Sequence, residues 1–180
     1  SEAYNSLRGA LLYSTTEGLP QVLLVTSAQP GEGKTTTSFA LAAGFARMGR
    51  KVVLIDGDLR RPSVHRRAKA RNDKGLTTLL TSQEPFSAVA IASEQPNLTL
   101  LPSGPVPPSP TELLSSARME QFIMEMARDF DVVVIDSPPI MGLADAPVLS
   151  ALADGVVFVV ESDRSRRGSL KMALRRLRGM

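Results

Sequence analysis

The residues most able to do chemistry lie in Ala28–Thr37, AQPGEGKTTT, between a short apolar run and a helix-forming stretch. In that context the string predicts a phosphate-binding loop. Backbone N–H groups of a glycine-bearing turn and of a helix N-terminus converge there on phosphate oxygens. Gly31 and Gly33 permit the turn and close backbone approach, with Glu32 between them. Lys34 is expected to reach the β and γ phosphates and the Thr35 hydroxyl to ligate Mg²⁺, with Thr36 completing the binding string. Ala28 stands where the usual pattern has its first glycine. The plainer alternative is a glycine-rich turn that caps a helix, but strand, GEGKT and helix in order favour phosphate.

Two further segments end in acids. Val52–Arg60, VVLIDGDLR, is a strand-like run that finishes in Asp56 and Asp58, with Arg60 after them. Val132–Pro139, VVVIDSPP, finishes in Asp136. Parallel sheets bind ligands beyond the carboxyl ends of their strands, so all three acids should emerge on the edge that carries the phosphate loop. Beside bound Mg²⁺ such acids serve as metal ligands, directly or through water, or as a base for a hydroxyl proton. Asp56 and Asp136 are assigned to the metal with Thr35, and Lys34, Asp56 and Asp58 to catalysis. Arg60 is read as a group that steadies phosphate or acids, with a plain surface arginine as the alternative. For Asp58 the alternative is a solvated Asp-Gly turn.

Short β-branched runs at 22–26, 52–55, 98–101, 132–135 and 156–160 suit strands buried on both faces. Helix-like stretches at about 2–13, 34–48, 111–128, 147–152 and 168–178 alternate with them. The alternation predicts an α/β fold: a doubly wound, mainly parallel sheet with helices on both faces. Leu101–Pro110 has five prolines in ten residues and reads as an extended surface or lid-like loop. At 180 residues the chain reads as a single domain.

The net charge is +3, but it is unevenly spread. Residues 60–74 sum to +6 and residues 164–180 to +7, which leaves −10 for the remainder. With no Trp, two Tyr and six Phe there is no aromatic platform for bases, which argues against nucleic acid as partner. The absence of cysteine excludes thiol chemistry and disulfides, and one histidine is too few for a histidine metal site or a Ser-His-Asp triad. His65 reads as a surface side chain. The methionines at 119–126 read as packing, and Asp145 and Asp154 as caps or bounds of an apolar helix, although Asp145 follows soon after the strand that ends in Asp136 and could approach the site.

GEGKTTT, IDGDLR and VIDSPP, in this order and spacing, resemble the Walker A, A′ and B motifs of the bacterial tyrosine kinases, or BY-kinases. EAYNSLR resembles that family's opening helix, and GPVPPSPTELLSS its proline-rich segment. The resemblance implies a P-loop NTPase fold related to the MinD and ParA type, with ATP and Mg²⁺ bound. It implies transfer of the γ-phosphoryl group to tyrosine, autophosphorylation included, in control of capsular or extracellular polysaccharide synthesis and export. Residue by residue, Lys34 and Thr35 match the phosphate and metal ligands and Asp136 the second metal acid. Asp56 and Asp58 match the A′ pair, one for the metal and one for the tyrosine hydroxyl.

The implied partners are a tyrosine-bearing tail or protein, a transmembrane activator segment or protein, and further copies of the chain. The implied location is a cytoplasmic domain at the inner membrane, in a larger protein and cut short at its C-terminus. The family's ring-forming helix carries E-x-x-R-x-x-R, and Asn5 replaces its first arginine, with Glu2 and Arg8 kept. The only tyrosines are Tyr4 and Tyr13. Two other readings stand beside the kinase: a ParA/MinD-type switch ATPase, against which Gln29 occupies that group's extra lysine position, and an ATP-gated docking module without transfer.

Overall fold

The computed structural model describes residues 2–12, 18–31, 33–140, 143–162 and 169–175. Their core is a seven-stranded sheet: β1 (Val22–Ser27), β2 (Val52–Asp56), β3 (Ile91–Ala92), β4 (Leu98–Leu101), β5 (Val132–Asp136), β6 (Gly155–Ser162) and β7 (Ser169–Arg175). The strand order is β3-β4-β2-β5-β1-β6-β7, with the five central strands parallel and both edge strands antiparallel to their neighbours.

The described residues form eight helices, of which all but the first lie between strands: α1 (Glu2–Leu12), α2 (Lys34–Arg47), α3 (Val64–Arg67), α4 (Leu76–Thr81), α5 (Phe86–Val89), α6 (Pro110–Leu114), α7 (Ala117–Asp129) and α8 (Asp145–Ser150). Every residue of β1, β2 and β5 is buried. Alternate residues serve opposite cores: Val22 and Leu24 join Leu76, Met119 and Leu149 on one face, while Leu23 and Val25 join Leu7, Leu41 and Phe45 on the other. The continuous apolar runs thus have the cause the sequence suggested, helices covering both faces.

Three expectations are corrected. The stretch at 111–128 is two helices, because Ser116 is extended (φ −71°, ψ 154°) and its hydroxyl accepts the Met119 N–H as the cap of α7. Within α7, Met119, Phe122, Ile123 and Met126 are buried at helical spacing, as packing methionines should be, but Met124 is exposed. The last element, expected as a helix over 168–178, is a strand over 169–175. Leu170, Met172 and Leu174 alternate with Lys171, Ala173 and Arg175, a two-residue period, and pairing with β6 gives both backbones ladder partners. The +7 run therefore includes a strand where a basic helix was expected.

The proline-rich loop is not wholly superficial. Residues 101–104 are buried and the segment turns outward only at Pro105. Leu76 and Thr77 donate their N–H groups to the carbonyls of Pro102 and Ser103 at 2.8 and 2.9 Å, and Asn72 Oδ1 accepts the Gly104 N–H at 2.8 Å. Gly75 permits this close approach, since a Cβ there would lie 2.2 Å from the Pro102 carbonyl oxygen.

Gly75→Ala is expected to lower stability by about 2–3 kcal/mol, since rigid backbone has to move. Gly9→Ala, in α1 with open space around its Cβ position, should be neutral or raise stability by roughly 1 kcal/mol. Urea midpoints of the two variants test the contrast. Equal midpoints would show that loop 102–104 yields freely.

Candidate functional site

The site is built where β1, β2 and β5 end. β2 and β5 run parallel in a register that sets Asp56 beside Asp136, and β1 sets Val25 on the other side of Asp136. Both carboxylates are fully buried. The chain leaves β5 alongside β1, with Ser137 N donating to Val25 O at 3.0 Å and Ile140 N to Ser27 O at 2.8 Å.

Past β1, Gly31 and Gly33 take φ values of 83° and 76°, the left-handed region that costs glycine little. α2 then begins at Lys34. Lys34 Nζ donates to Asp136 Oδ1 at 2.8 Å, and Thr35 Oγ1 donates to Asp136 Oδ2 at 2.9 Å. Two consecutive residues of the phosphate loop are thereby held on one buried acid. Glu32 lies outside the described residues. Thr36 Oγ1 accepts a hydrogen bond from Arg67 Nη2, and the Arg67 guanidinium lies 5.4 Å from the centre of the Phe39 ring.

Asp56 organises the second loop. Its Oδ1 accepts the Asp58 N–H at 3.1 Å, and its Oδ2 accepts those of Ser63 and Val64 at 2.9 and 3.0 Å. Burial, with the neighbouring Asp136 charge added, outweighs these donors and raises the Asp56 pKa to about 7. Gly57 lets the loop close on β5: its N–H donates to Asp136 O at 2.7 Å, and a Cβ would meet Ile135, Leu149 and that same carbonyl at 3.0–3.1 Å.

Asp58 lines the cleft, and its Oδ1 accepts the Arg61 N–H at 3.0 Å. Its pKa is raised too, chiefly by burial, against the Arg61 N–H and the Lys34 charge. The Arg60 N–H also bears on the Asp58 carboxylate and favours its charged form. The cleft has a volume of about 680 Å³ and is walled by the phosphate loop, by Asp58, Arg60, Arg61 and Ser63, and by Pro138, Pro139 and Leu143.

The structure therefore brings together Gly31, Gly33, Lys34, Thr35, Thr36, Asp58 and Arg60 around one cleft, with Asp56 and Asp136 beneath it. His65 is half-buried, its Nδ1 has no hydrogen-bond partner among the described residues, and it does not line the cleft. Asp154 accepts the Val22 N–H at 2.9 Å and so bounds β1.

Ser63 and Thr111 at the site escaped the sequence reading, and Asp145, read as a cap that could approach the site, does approach it. Ser63 Oγ lies 2.9 Å from Thr35 Oγ1. Asp145, fully buried, takes the guanidinium of Arg60, and Thr111 donates to the same carboxylate. Burial opposes the charge on Asp145, but the bonds from Arg60 and Thr111 and the Arg60 charge prevail and hold its pKa below the ordinary value. Asp145 follows a strand-end acid by nine residues and opens a helix, which was the one available signal. Nothing in the composition around Ser63 or Thr111 marks either.

The residues suit Mg²⁺, a hard cation that takes oxygen ligands. Two side-by-side carboxylates and a hydroxyl bonded to one of them supply such oxygens. Among the described residues no group of three or more His, Asp or Glu side chains is placed to hold a metal ion.

Residues 21–177 match the family model described as AAA domain. The tyrosine-protein kinase YwqD of Bacillus subtilis (strain 168) is 41% identical over 167 residues, 93% of this chain and 70% of YwqD. Among solved structures, the chimerical protein CapA2B2 superposes with a TM-score of 0.87 at 32% identity, over 93% of this chain and 74% of that one. The kinase domain of the Escherichia coli tyrosine kinase ETK superposes with a TM-score of 0.79 at 34% identity, over 84% of this chain and 60% of that one. The Lys34–Asp136–Thr35 arrangement thus sits in a chain that belongs to the AAA-domain family and, within it, to the bacterial tyrosine-protein kinases.

Proposed function

We propose that this chain is an ATP-dependent protein-tyrosine kinase, autophosphorylating and acting in the synthesis and export of capsular or extracellular polysaccharide. The observation that carries the reading is Asp136, which holds both Lys34 and Thr35. A residue that gathers the lysine and the hydroxyl of a phosphate loop on one buried carboxylate sets both where polyphosphate is to lie.

In this reading the N–H groups around Gly31, Gly33 and the start of α2 bind phosphate oxygens, and Glu32 and Thr36 complete that loop. Lys34 exchanges its ion pair with Asp136 for the β and γ phosphates. Thr35, Asp136 and Asp56 hold Mg²⁺, which when bound neutralises charge on those oxygens.

Asp58 is the base. It lines the cleft, whereas Asp56 is fully buried beneath it with both oxygens accepting backbone N–H groups. The tyrosine oxygen forms the new P–O bond as the bond to the β-phosphate oxygen breaks, and its proton passes to Asp58. Burial, which raises the Asp58 pKa, suits a group that must take a proton near neutral pH. In-line positioning and charge neutralisation supply most of the rest. Arg60 supports the phosphates from the cleft wall.

The tyrosines belong to a tail or a partner protein. A transmembrane activator, attachment to the inner membrane and assembly of copies complete the proposal on the strength of the family resemblance. Among the described residues no helix is long and apolar enough to cross a membrane. In α1, Arg8 donates to Asn5 at 3.2 Å while Glu2 is exposed.

Lys34→Met is expected to abolish both phosphotyrosine and phosphate release when γ-labelled ATP and a tyrosine-bearing protein are supplied. Asp58→Asn should lower phosphotyrosine formation about 10²–10⁴-fold while ATP still binds. Phosphate release without phosphotyrosine in the wild-type chain would replace the kinase by a switch ATPase.

The Asp56 proton also shapes stability. The folded chain binds it more tightly than the unfolded chain, whose value is near 3.8, so this contribution is full below that value and is lost as pH rises through about 7. Without nucleotide, the urea midpoint should decline between pH 5 and pH 8, and Asp56→Asn should flatten that decline. An identical slope in both proteins would show that Asp56 stays ionised throughout.

A further inference from the structure

Arg60 is held by a three-part junction that the reaction as described does not use. Its Nε donates to Asp145 Oδ2 at 2.8 Å, and its Nη2 to Asp145 Oδ1 at 3.4 Å and to Thr111 Oγ1 at 3.3 Å. Thr111 Oγ1 in turn donates to Asp145 Oδ1. Three segments far apart in sequence meet here: the loop after β2, the start of α6 beyond the proline-rich segment, and the start of α8 beyond β5.

Asp145 is fully buried, whereas the Arg60 side chain is 39% exposed and lines the cleft. A buried carboxylate is costly unless it is paired and hydrogen-bonded, and this one has Arg60 and Thr111 for that. The pairing fixes one edge of a planar guanidinium. Nη1 makes no hydrogen bond among the described residues, so one side of the fork is left for a ligand of the cleft. A guanidinium with one edge clamped and the other open has lost most of its rotamer freedom before any phosphate arrives, which lowers the entropy spent on binding it.

We propose that Asp145, supported by Thr111, is the positioning residue that holds Arg60 for the transferred phosphoryl group. The proposal rests on the kinase reading and deepens it, because it names a determinant of Arg60's place and couples the start of α6 to the cleft. Asp145 touches neither substrate nor metal in this scheme. It acts only through Arg60.

A double-mutant cycle separates that role from mere support of the fold. Asp145→Asn is expected to lower kcat for phosphotyrosine formation by about 10–100-fold, the order of effect of a misplaced group. Thr111→Val should lower it by about 2–10-fold, the worth of one hydrogen bond. The affinity for a fluorescent ATP analogue should fall less than kcat, and Asp145→Glu should restore part of the loss. In an Arg60→Ala background both substitutions should cost nothing further. Equal losses in the presence and absence of Arg60 would overturn the proposal.

Should Asp145→Asn fail to fold by circular dichroism, Thr111→Val and Asp145→Glu in the two backgrounds decide the matter alone. The cycle is read on phosphate release as well. Failure of tyrosine transfer in the wild-type chain, which would sink the kinase reading, therefore still leaves the coupling to Arg60 measured.

Discussion

Two buried carboxylates in register on neighbouring strands are the constraint around which the rest of the site is arranged. Asp56 and Asp136 end β2 and β5 side by side, out of contact with water. Charges of one sign in such a place repel, and neither is solvated, so the chain has to answer with donors and a cation. It answers differently for each. Asp136 receives the ammonium of Lys34 and the hydroxyl of Thr35, while Asp56 receives three backbone N–H groups and a raised pKa. The two answers build the two loops of the site. The phosphate loop is tied down through its own functional side chains, and the loop after β2 is wound around Asp56 from Asp58 to Val64. Replacing either acid would therefore disturb a loop as well as a ligand.

The same constraint explains why small residues surround the acids. Gly57 must lie against Ile135, Leu149 and the Asp136 carbonyl for the second loop to leave β2 at that angle, and a methyl group there would press on all three. The sheet supplies the rigidity that this crowding needs. Its central strands are buried on both faces by two separate cores, so the carboxylates sit on a platform with little freedom to spread apart. Positions fixed by packing are better suited to in-line transfer than positions on free loops.

How far the sequence revealed this differs from residue to residue. The five central strands were legible because both-face burial demands unbroken β-branched runs, and the phosphate loop because its glycines, lysine and threonine are tied to one chemistry. β7 was misread as a helix. Lysine, methionine, leucine and arginine favour helix locally, and the decision for strand came from the open ladder of β6, a long-range demand invisible in a short window. Short α3, α4 and α5 carry too few turns for a period to register. Ser63 and Thr111 were hidden for another reason: each contributes through a partner 28 or 34 positions away, and neither composition nor spacing reports such a meeting, whereas Asp145 was legible only as an acid near the end of β5 and its partner Arg60 was not.

The charge of the chain gains meaning only at this scale. Of the basic run at 60–74, Arg71 pairs with Asp73 at 4.0 Å and Lys74 with Glu84 at 2.9 Å on the surface, contacts that contribute little. Arg67 is spent on Thr36 and the Phe39 ring. Arg60 and Arg61 are the members of the run that line the cleft, and with Lys34 and Asp58 they are the charged side chains on its wall among the described residues. Two of the three cations are already paired with buried acids, Lys34 with Asp136 and Arg60 with Asp145. These charged side chains are gathered in one concavity instead of along a stripe. The arginines of the run thus divide by what lies beneath them, and it is the buried Asp145 that keeps Arg60 at the cleft wall.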